Sequence, residues 1–530
     1  MIDEFTRIAA AGTSRERPPS GGLSTDDLVA GVGGTSPERD LLLRAGALAV
    51  YRTAGRVPET GAAPPEPAPE ETLPACSEKA SEVVRLLLDG KRDAILHEAL
   101  ERLRLAGLRV PHALLPDLLN VQQRVLRSAV VAMLGERGRW LAARNPGWTW
   151  AVATGGFEES DETVWEEGAL EDRLAALRSI RRRDGGQGLR WIEEVWKAEK
   201  AEARTAMVAA LETDLSPDDE PFLERALDDR SVRVREAAAS LLARLPGSAY
   251  AGRAVARADA VLAGYEPSAG GLIAGLRRGG SHGRLLIEPP EAIDASWKRD
   301  LPGVDKAPYG TGEKAWRISR SLAVVPLDHW ENRFGAGAEE LVVSTRVGDW
   351  EPALLAGWCR AGALHGEAGW AWPLWERCHG LPDDSEGRQA WSEAQELAPT
   401  LPQVSLARSL PDFLQGKSVQ MSRRLASTLL AIPAVWTHGL SEVYVESLRA
   451  HLEALTWDPP SGGGEQWVHT LQHAAVALSP GILEAAAGMG DVLPRLKGEG
   501  VWFVRWVGSE LAKFEETVEL RRNLVKEIPL

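Results

Sequence analysis

The residues able to do chemistry in this sequence stand at spacings that mostly defeat it. His469 and His473 lie four apart on an expected helix, close enough on one face to share a metal, yet HTLQH holds no glutamate to act as a base and no evident third ligand. Cys378 and His379 are adjacent, and neighbours on a helix point in different directions, so they do not form a nucleophile and its base. YGTGEKAW at 309–316 has the outline of a phosphate loop. Gly312 is nevertheless followed by Glu313, whose charge would repel phosphates, and no Ser or Thr follows Lys314. QGKS at 415–418 has Pro411 where that motif needs glycine, and GVGG at 31–34 has Ser36 where a dinucleotide fingerprint needs its last glycine. The acidic run EESDETVWEE at 158–167 reads as a solvated loop ahead of a cation site. The expectation is therefore no catalytic residue, no metal and no cofactor.

Binding is better supplied. Residues 101–144 carry eight arginines against three acidic residues, a net of +5 inside a chain of formal charge -15. Trp140, Trp148 and Trp150 lie beside them, and Arg181, Arg182 and Arg183 extend the trend. Arg137, Arg139, Trp140, Arg144 and Trp148 are thus the candidate surface for an acidic protein or a nucleic acid, since guanidinium groups and indole rings together suit both. The competing account has tryptophans closing helix packing and arginines coating its outside. The same choice applies to the 20 tryptophans as a whole, set against 7 phenylalanines and clustered at Trp370, Trp372 and Trp375.

Those residues need elements to hold them. With 44% hydrophobic and 26% charged residues, the composition is that of a chain folding in water. The acidic balance opposes whole-surface attraction to nucleic acid or anionic lipid. The longest stretch without Asp, Glu, Lys or Arg, 466–483, is too short to span a bilayer, so no membrane association is expected. MIDEF places acids where a secretion signal wants lysine or arginine, and three cysteines make no disulfide framework. The cytoplasm is the expected location.

Along the chain, 1–57 reads as a short helical segment around a glycine loop, and 58–79 as a linker whose Pro/Glu-rich part stays extended and solvated. Helical patterns fill 80–249; glycines and prolines mark 250–349 as an irregular connection with a short strand at 285–287; helices return through 350–530. Within the first helical block, Phe222, Leu223, Ala226 and Leu227 make one apolar face, and Val234, Ala238, Leu241 and Leu242 a second. Asp228, Asp229 and Ser231 form the turn between them, Ser231 is placed to cap the second helix with its hydroxyl, and Pro246-Gly247 ends it. Arg235 opens the second helix, and 31 residues upstream Arg204 opens a similar one. A helical hairpin that recurs at this period cannot bury its apolar stripe alone, and stacking is its remedy.

LDDRSVRVREAAASLL resembles a HEAT repeat in its acidic turn, its Val-Arg step and its alanine-rich second helix. Together with GERGRWLAARNPGW, YGTGEKAWRISRSLAVVPLDHW and ELRRNLVKEI, it makes nearly the whole chain similar to an uncharacterised bacterial family, a domain of unknown function. That resemblance implies an all-α fold of HEAT-like hairpin repeats, an α-solenoid, interrupted by the central irregular segment. It also implies encoding beside MoxR-type AAA ATPases, von Willebrand A-domain proteins and SWIM zinc-finger proteins, and assigns no reaction. The expected function is a non-enzymatic scaffold binding protein partners, with a MoxR-type AAA ATPase or a von Willebrand A-domain protein as the partner. The alternative is a nucleic-acid-binding protein related in function to the HEAT-like DNA glycosylases.

Overall fold

Apolar residues three and four apart, punctuated by proline, glycine and capping side chains, fold into helices almost throughout. The computed structural model describes residues 8, 12–13, 35–54, 66–90, 92–152, 161–267, 283–346, 348–414, 419–432, 435–454, 466–491 and 502–528. The chain divides into two compact units, Met1–Pro69 and Glu70–Leu530. The fold class is all-α: among the described residues the only sheet has two strands.

In the first unit, α1 (Pro37–Ala54) opens with Glu38 and Asp40, acids placed where the helix dipole favours them. Arg44 reaches back one turn to Asp40 at 3.0 Å, and Thr13 donates to Glu38 at 2.6 Å. The glycine run 31–34 lies outside the described residues.

The second unit begins with α2 (Glu78–Asp89), α3 (Asp93–Leu105), α4 (Leu115–Leu119), α5 (Arg124–Met133) and α6 (Gly135–Ala142). The Ser77 hydroxyl caps α2 by accepting from Ala80 N–H at 3.1 Å, and Pro116 sits in the first turn of α4, where its missing N–H costs nothing. These helices share a core of Val84, Leu87, Leu100, Leu118 and Val130 with Leu524 and Ile528 from the end of the chain. The linker does not stay solvated to its end. Arg109 N–H donates to Pro74 O and Cys76 N–H to Arg109 O, a parallel bridge that pins the strand-like segment, because Glu71 finds partners there.

Three helix pairs follow: α7 (Asp161–Glu167) with α8 (Leu170–Arg181), α9 (Gly185–Val195) with α10 (Ala201–Ala210), and α11 (Glu220–Ala226) with α12 (Val232–Arg244). The second helices stack, α8 on α10 and α10 on α12. Arg173, Arg204 and Arg235 occupy the same place on each, 31 residues apart, and Trp165 and Trp196 recur with them. Arg173 lies 4.7 Å over the Trp165 ring and bonds Glu199, while Arg204 lies 5.5 Å over Trp196 and bonds Asp229. The helix that carries Trp191 starts at Gly185, capped by Asp184 accepting from Gln187 N–H. A Cβ at Gly188 would stand 2.7 Å from the Arg181 stem, so glycine at this position lets that side chain cross close over α9.

Beyond the repeats come α13 (Ala249–Val261), β1 (Leu262–Glu266), β2 (Arg284–Ile287), α14 (Ala295–Asp300), α15 (Glu313–Leu322), α16 (Asp328–Phe334) and α17 (Ala338–Val343). β1 and β2 pair antiparallel, with Tyr265 opposite Leu285. More of 250–349 is helical than its glycines and prolines suggest, since Asp294 caps α14 and Gly312 opens α15. The remaining helices are α18 (Glu351–His365), α19 (Ala368–His379), α20 (Ser385–Gln395), α21 (Gln403–Leu414), α22 (Val419–Ala431), α23 (His438–Ala454), α24 (Leu471–Ala477), α25 (Leu483–Ala486) and α26 (Trp502–Glu527). Tryptophans fill their core: Trp330, Trp358, Trp375, Trp436 and Trp467 are fully buried, and Trp358 meets Trp370 edge-on at 5.2 Å. The last helix serves both cores, with Leu511 and Phe514 in the large one and Leu524 in the small one.

Candidate functional site

The arginine-tryptophan region falls on α6 and the turn after it, and its charges are largely engaged within the protein. Arg137 is exposed, and its Nη1 lies 3.3 Å from His112 Nδ1. Arg139 bonds Glu136 at 2.5 Å. Arg144 stacks 3.9 Å over the Trp140 ring and donates to the Trp140 carbonyl, and Trp148 donates its indole N–H to Asn120. Glu71 organises this corner. It accepts from the N–H groups of Glu136 and Arg137 and contacts His112 Nε2 at 3.0 Å. Burial alone would raise its pKa, but those bonds and the nearby Arg109 guanidinium hold the carboxyl below its ordinary value. Of the flanking arginines, Arg102 is buried against Glu98 and the Ile528 carbonyl.

Arg181, read from the sequence as part of the same basic trend, has no exposure at all. Its guanidinium grips Asp219 through two bonds of 2.7 and 2.8 Å and donates to the carbonyls of Leu211, Thr213, Asp214 and Gly185. No local signal marks it, because Asp219 is 38 residues away and Arg182 and Arg183 beside it are exposed.

The turn residues do more than turn. Asp229 accepts from Arg204 and from Ser231 N–H, and Arg235 donates to the Asp229 carbonyl at 2.8 Å. Ser231 does stand at the N-cap of α12, but its hydroxyl makes no capping bond; the Asp229 carboxylate organises the turn instead. Asp228 accepts from Arg299 at 2.8 Å, tying the turn to α14.

The His469–His473 and Cys378–His379 pairs engage other partners instead of each other. His473 tilts against Trp436 and His469 against Trp506, and burial lowers the pKa of His473. Cys378 meets Cys359 rather than His379, with the two buried sulfurs 3.6 Å apart. Lys314 pairs with Glu291, and QGKS lies outside the described residues. Among the described residues no three His, Cys, Asp or Glu gather as a metal site would require.

What the sequence does not announce is a polar cleft of about 530 Å³ between α12, α15, α18 and α20. Glu236 and Ser240 come from α12, Arg320 from α15, Arg360 from α18, and Glu393 and Glu396 from α20 and its end. Tyr250 and Asp300 form part of the lining, the tyrosine donating to the Asp300 carbonyl at 2.8 Å. Asp300 is only 1% exposed, and Arg253 and Arg257 satisfy its carboxylate, holding its pKa down against burial.

Arg320 is treated differently. It is 8% exposed, it donates Nη2 to the Pro302 carbonyl at 3.0 Å, and its Nε has no hydrogen-bond partner. Burial and the neighbouring Arg360 charge lower its pKa, disfavouring the charge it must carry. Arg360 in turn reaches Glu393 only at 3.7 Å, too long for a hydrogen bond. Burial raises the Glu393 pKa although Arg360 and Arg320 pull it back. Besides Asp300, whose carboxylate is satisfied, two guanidinium groups and three carboxylates thus share one cleft with only the long Arg360–Glu393 ion pair joining them, and the lining can accept an anion and hydrogen-bond donors together.

No curated protein matches the chain. A family model does, across residues 4–528, and the chain accordingly belongs to DUF5691, a family of unknown function.

Proposed function

We propose that this protein is a non-enzymatic helical-repeat scaffold that binds a protein partner, with the cleft between α12, α15, α18 and α20 as a docking point. The observation that carries this reading is the incomplete pairing of Arg320 and Arg360 in a cleft of about 530 Å³, a size suited to receiving a ligand group. Stacked helix pairs supply extended surface around such a point. The partner class we propose is a MoxR-type AAA ATPase or a von Willebrand A-domain protein, in the cytoplasm, on the sequence resemblance alone. A nucleic-acid role akin to the HEAT-like DNA glycosylases draws less support, because Arg102, Arg139 and Arg181 spend their charge on internal carboxylates.

The test is affinity purification of the full chain from its native cell, followed by reconstitution with each purified co-isolated protein. Direct binding of an AAA ATPase or A-domain protein is expected. Recovery of nucleic acid alone, or of proteins that fail to bind once purified, would overturn the scaffold reading.

A further inference from the structure

We propose that the cleft binds the carboxylate end of a partner's polypeptide chain, the carboxylate on Arg320 and Arg360 and the N–H or ammonium groups before it on Glu236, Glu393 and Glu396. This rests on the docking reading above and names the chemistry that does the docking.

Three features lead to it. First, a guanidinium that is 8% exposed and lacks a partner at Nε is a standing cost in the free protein, since buried charges are ordinarily paired. The Nε itself has no surface toward solvent and the guanidinium lies 5.4 Å from the Trp316 ring, so what an anion in the cleft offsets is the charge of the group and not the missing Nε bond. Arg253 and Arg257, which bond the Asp300 of the lining, show that the fold pairs guanidinium and carboxylate when both are its own, even where Arg257 keeps Nε and Nη2 without a hydrogen-bond partner. Second, Arg360 stands beside Arg320 and keeps 41% of its side chain exposed, while its contact with Glu393 stays at 3.7 Å. Two guanidiniums left open toward one space suit the paired oxygens of a carboxylate.

Third, the rest of the lining limits what the anion can be. Glu236, Glu393 and Glu396 surround it, so a phosphate dianion would meet three carboxylates for two arginines. A single carboxylate on a backbone that also offers N–H donors satisfies both signs of the lining. The cleft volume, about 530 Å³, admits a few extended residues and excludes a folded element. Capture of a terminal carboxylate is an established way of reading a chain end.

The test selects binders from a library of random heptapeptides displayed with free C-terminal carboxylates, using the intact chain, R320M and R360Q as baits. The intact chain should enrich a family of free-ended sequences that R320M does not enrich and R360Q enriches weakly. A synthetic enriched peptide should lose at least tenfold in affinity when its C-terminus is amidated. R320M should melt no lower than the parent, which separates lost recognition from lost folding. Absence of enrichment, equal enrichment by R320M, equal binding of the amidated peptide, or inorganic phosphate competing as well as the peptide would each overturn the proposal. The two readings fail separately. A purified partner protein still bound by R320M would leave the scaffold standing and remove this site from it, whereas selected peptides without any protein partner would do the reverse.

Discussion

Arg181 and Arg320 are both buried guanidiniums, and the two regions that hold them treat them in opposite ways. In the repeat block α7–α12, Arg181 receives a bidentate carboxylate and four carbonyls, so that every part of its fork is spent. In the block α15–α20, Arg320 receives one carbonyl and is left with an idle Nε beside another arginine. A fully satisfied buried ion locks helices in register, and a half-satisfied one carries a desolvation cost. Arg173 and Arg204 in the repeats also keep an idle Nε but hold carboxylates, so what sets Arg320 apart is the lack of a carboxylate bonded to it.

Substitutions should separate the two by sign. Asp219→Ala strands the Arg181 charge in the core and should destabilise the protein by about 3–5 kcal/mol, measured by denaturant unfolding. Replacing both partners with apolar residues should restore most of that loss. Arg320→Met should act the other way, raising stability by about 1 kcal/mol because the desolvated charge goes and only the Pro302 bond and the contact with the Trp316 ring are forfeited. A loss of several kcal/mol in Arg320→Met would erase the contrast.

Glu367 sharpens the comparison on the acidic side. Burial, with Asp328 and Glu331 nearby, lifts its pKa to about 6 although Leu327 N–H donates to it at 2.8 Å. A carboxyl whose folded pKa lies above the usual value takes up its proton sooner in the native state, so its penalty is full above about pH 6 and fades as pH falls toward 4.5. Glu367→Gln should therefore stabilise the protein at pH 7 by about 0.5 kcal/mol after allowance for its partial exposure. The advantage over the parent should shrink in melting curves recorded at pH 5. His365 and His379, whose pKa values burial lowers, act in the opposite sense and weaken both proteins alike as pH falls below about 6.5. The smallest effect belongs to the rim: Arg244→Ala removes an exposed tie to Glu212 and should cost no more than about 0.5 kcal/mol in the same unfolding assay.

Local pattern carried the helices. Val84, Leu87, Val234, Ala238 and Leu242 fall at helical spacings and are all buried, and Gly247 takes the positive φ that a glycine after proline suggests. What local pattern could not carry was pairing at a distance. Arg181 sits among three arginines and reads as surface until Asp219 is brought against it, and Ser231 holds the right position while Asp229 does the bonding. The 31-residue recurrence of Arg173 and Trp165 was legible but masked, because Trp165 lies inside the acidic run 158–167, which reads as loop although 161–167 fold as α7. The cleft was illegible for a stronger reason. Glu236, Arg320, Arg360 and Glu393 come from four helices spread over more than 150 positions, and although Glu236 and Arg320 fall inside LDDRSVRVREAAASLL and YGTGEKAWRISRSLAVVPLDHW, nothing in those segments ties them to each other or to Arg360 and Glu393.

The C-terminal helix, shared between two cores, also sets an order of events during synthesis. Helices α2–α6 leave the ribosome early, yet the apolar surface that Leu524 and Ile528 cover, and the Glu98 carboxylate that Arg521 grips at 2.6 Å, must wait for α26 to be translated. Until then that young layer has an open flank. A nascent chain halted before α26 would present it to chaperones and proteases, so the last turn of α26 acts as the seal on that layer.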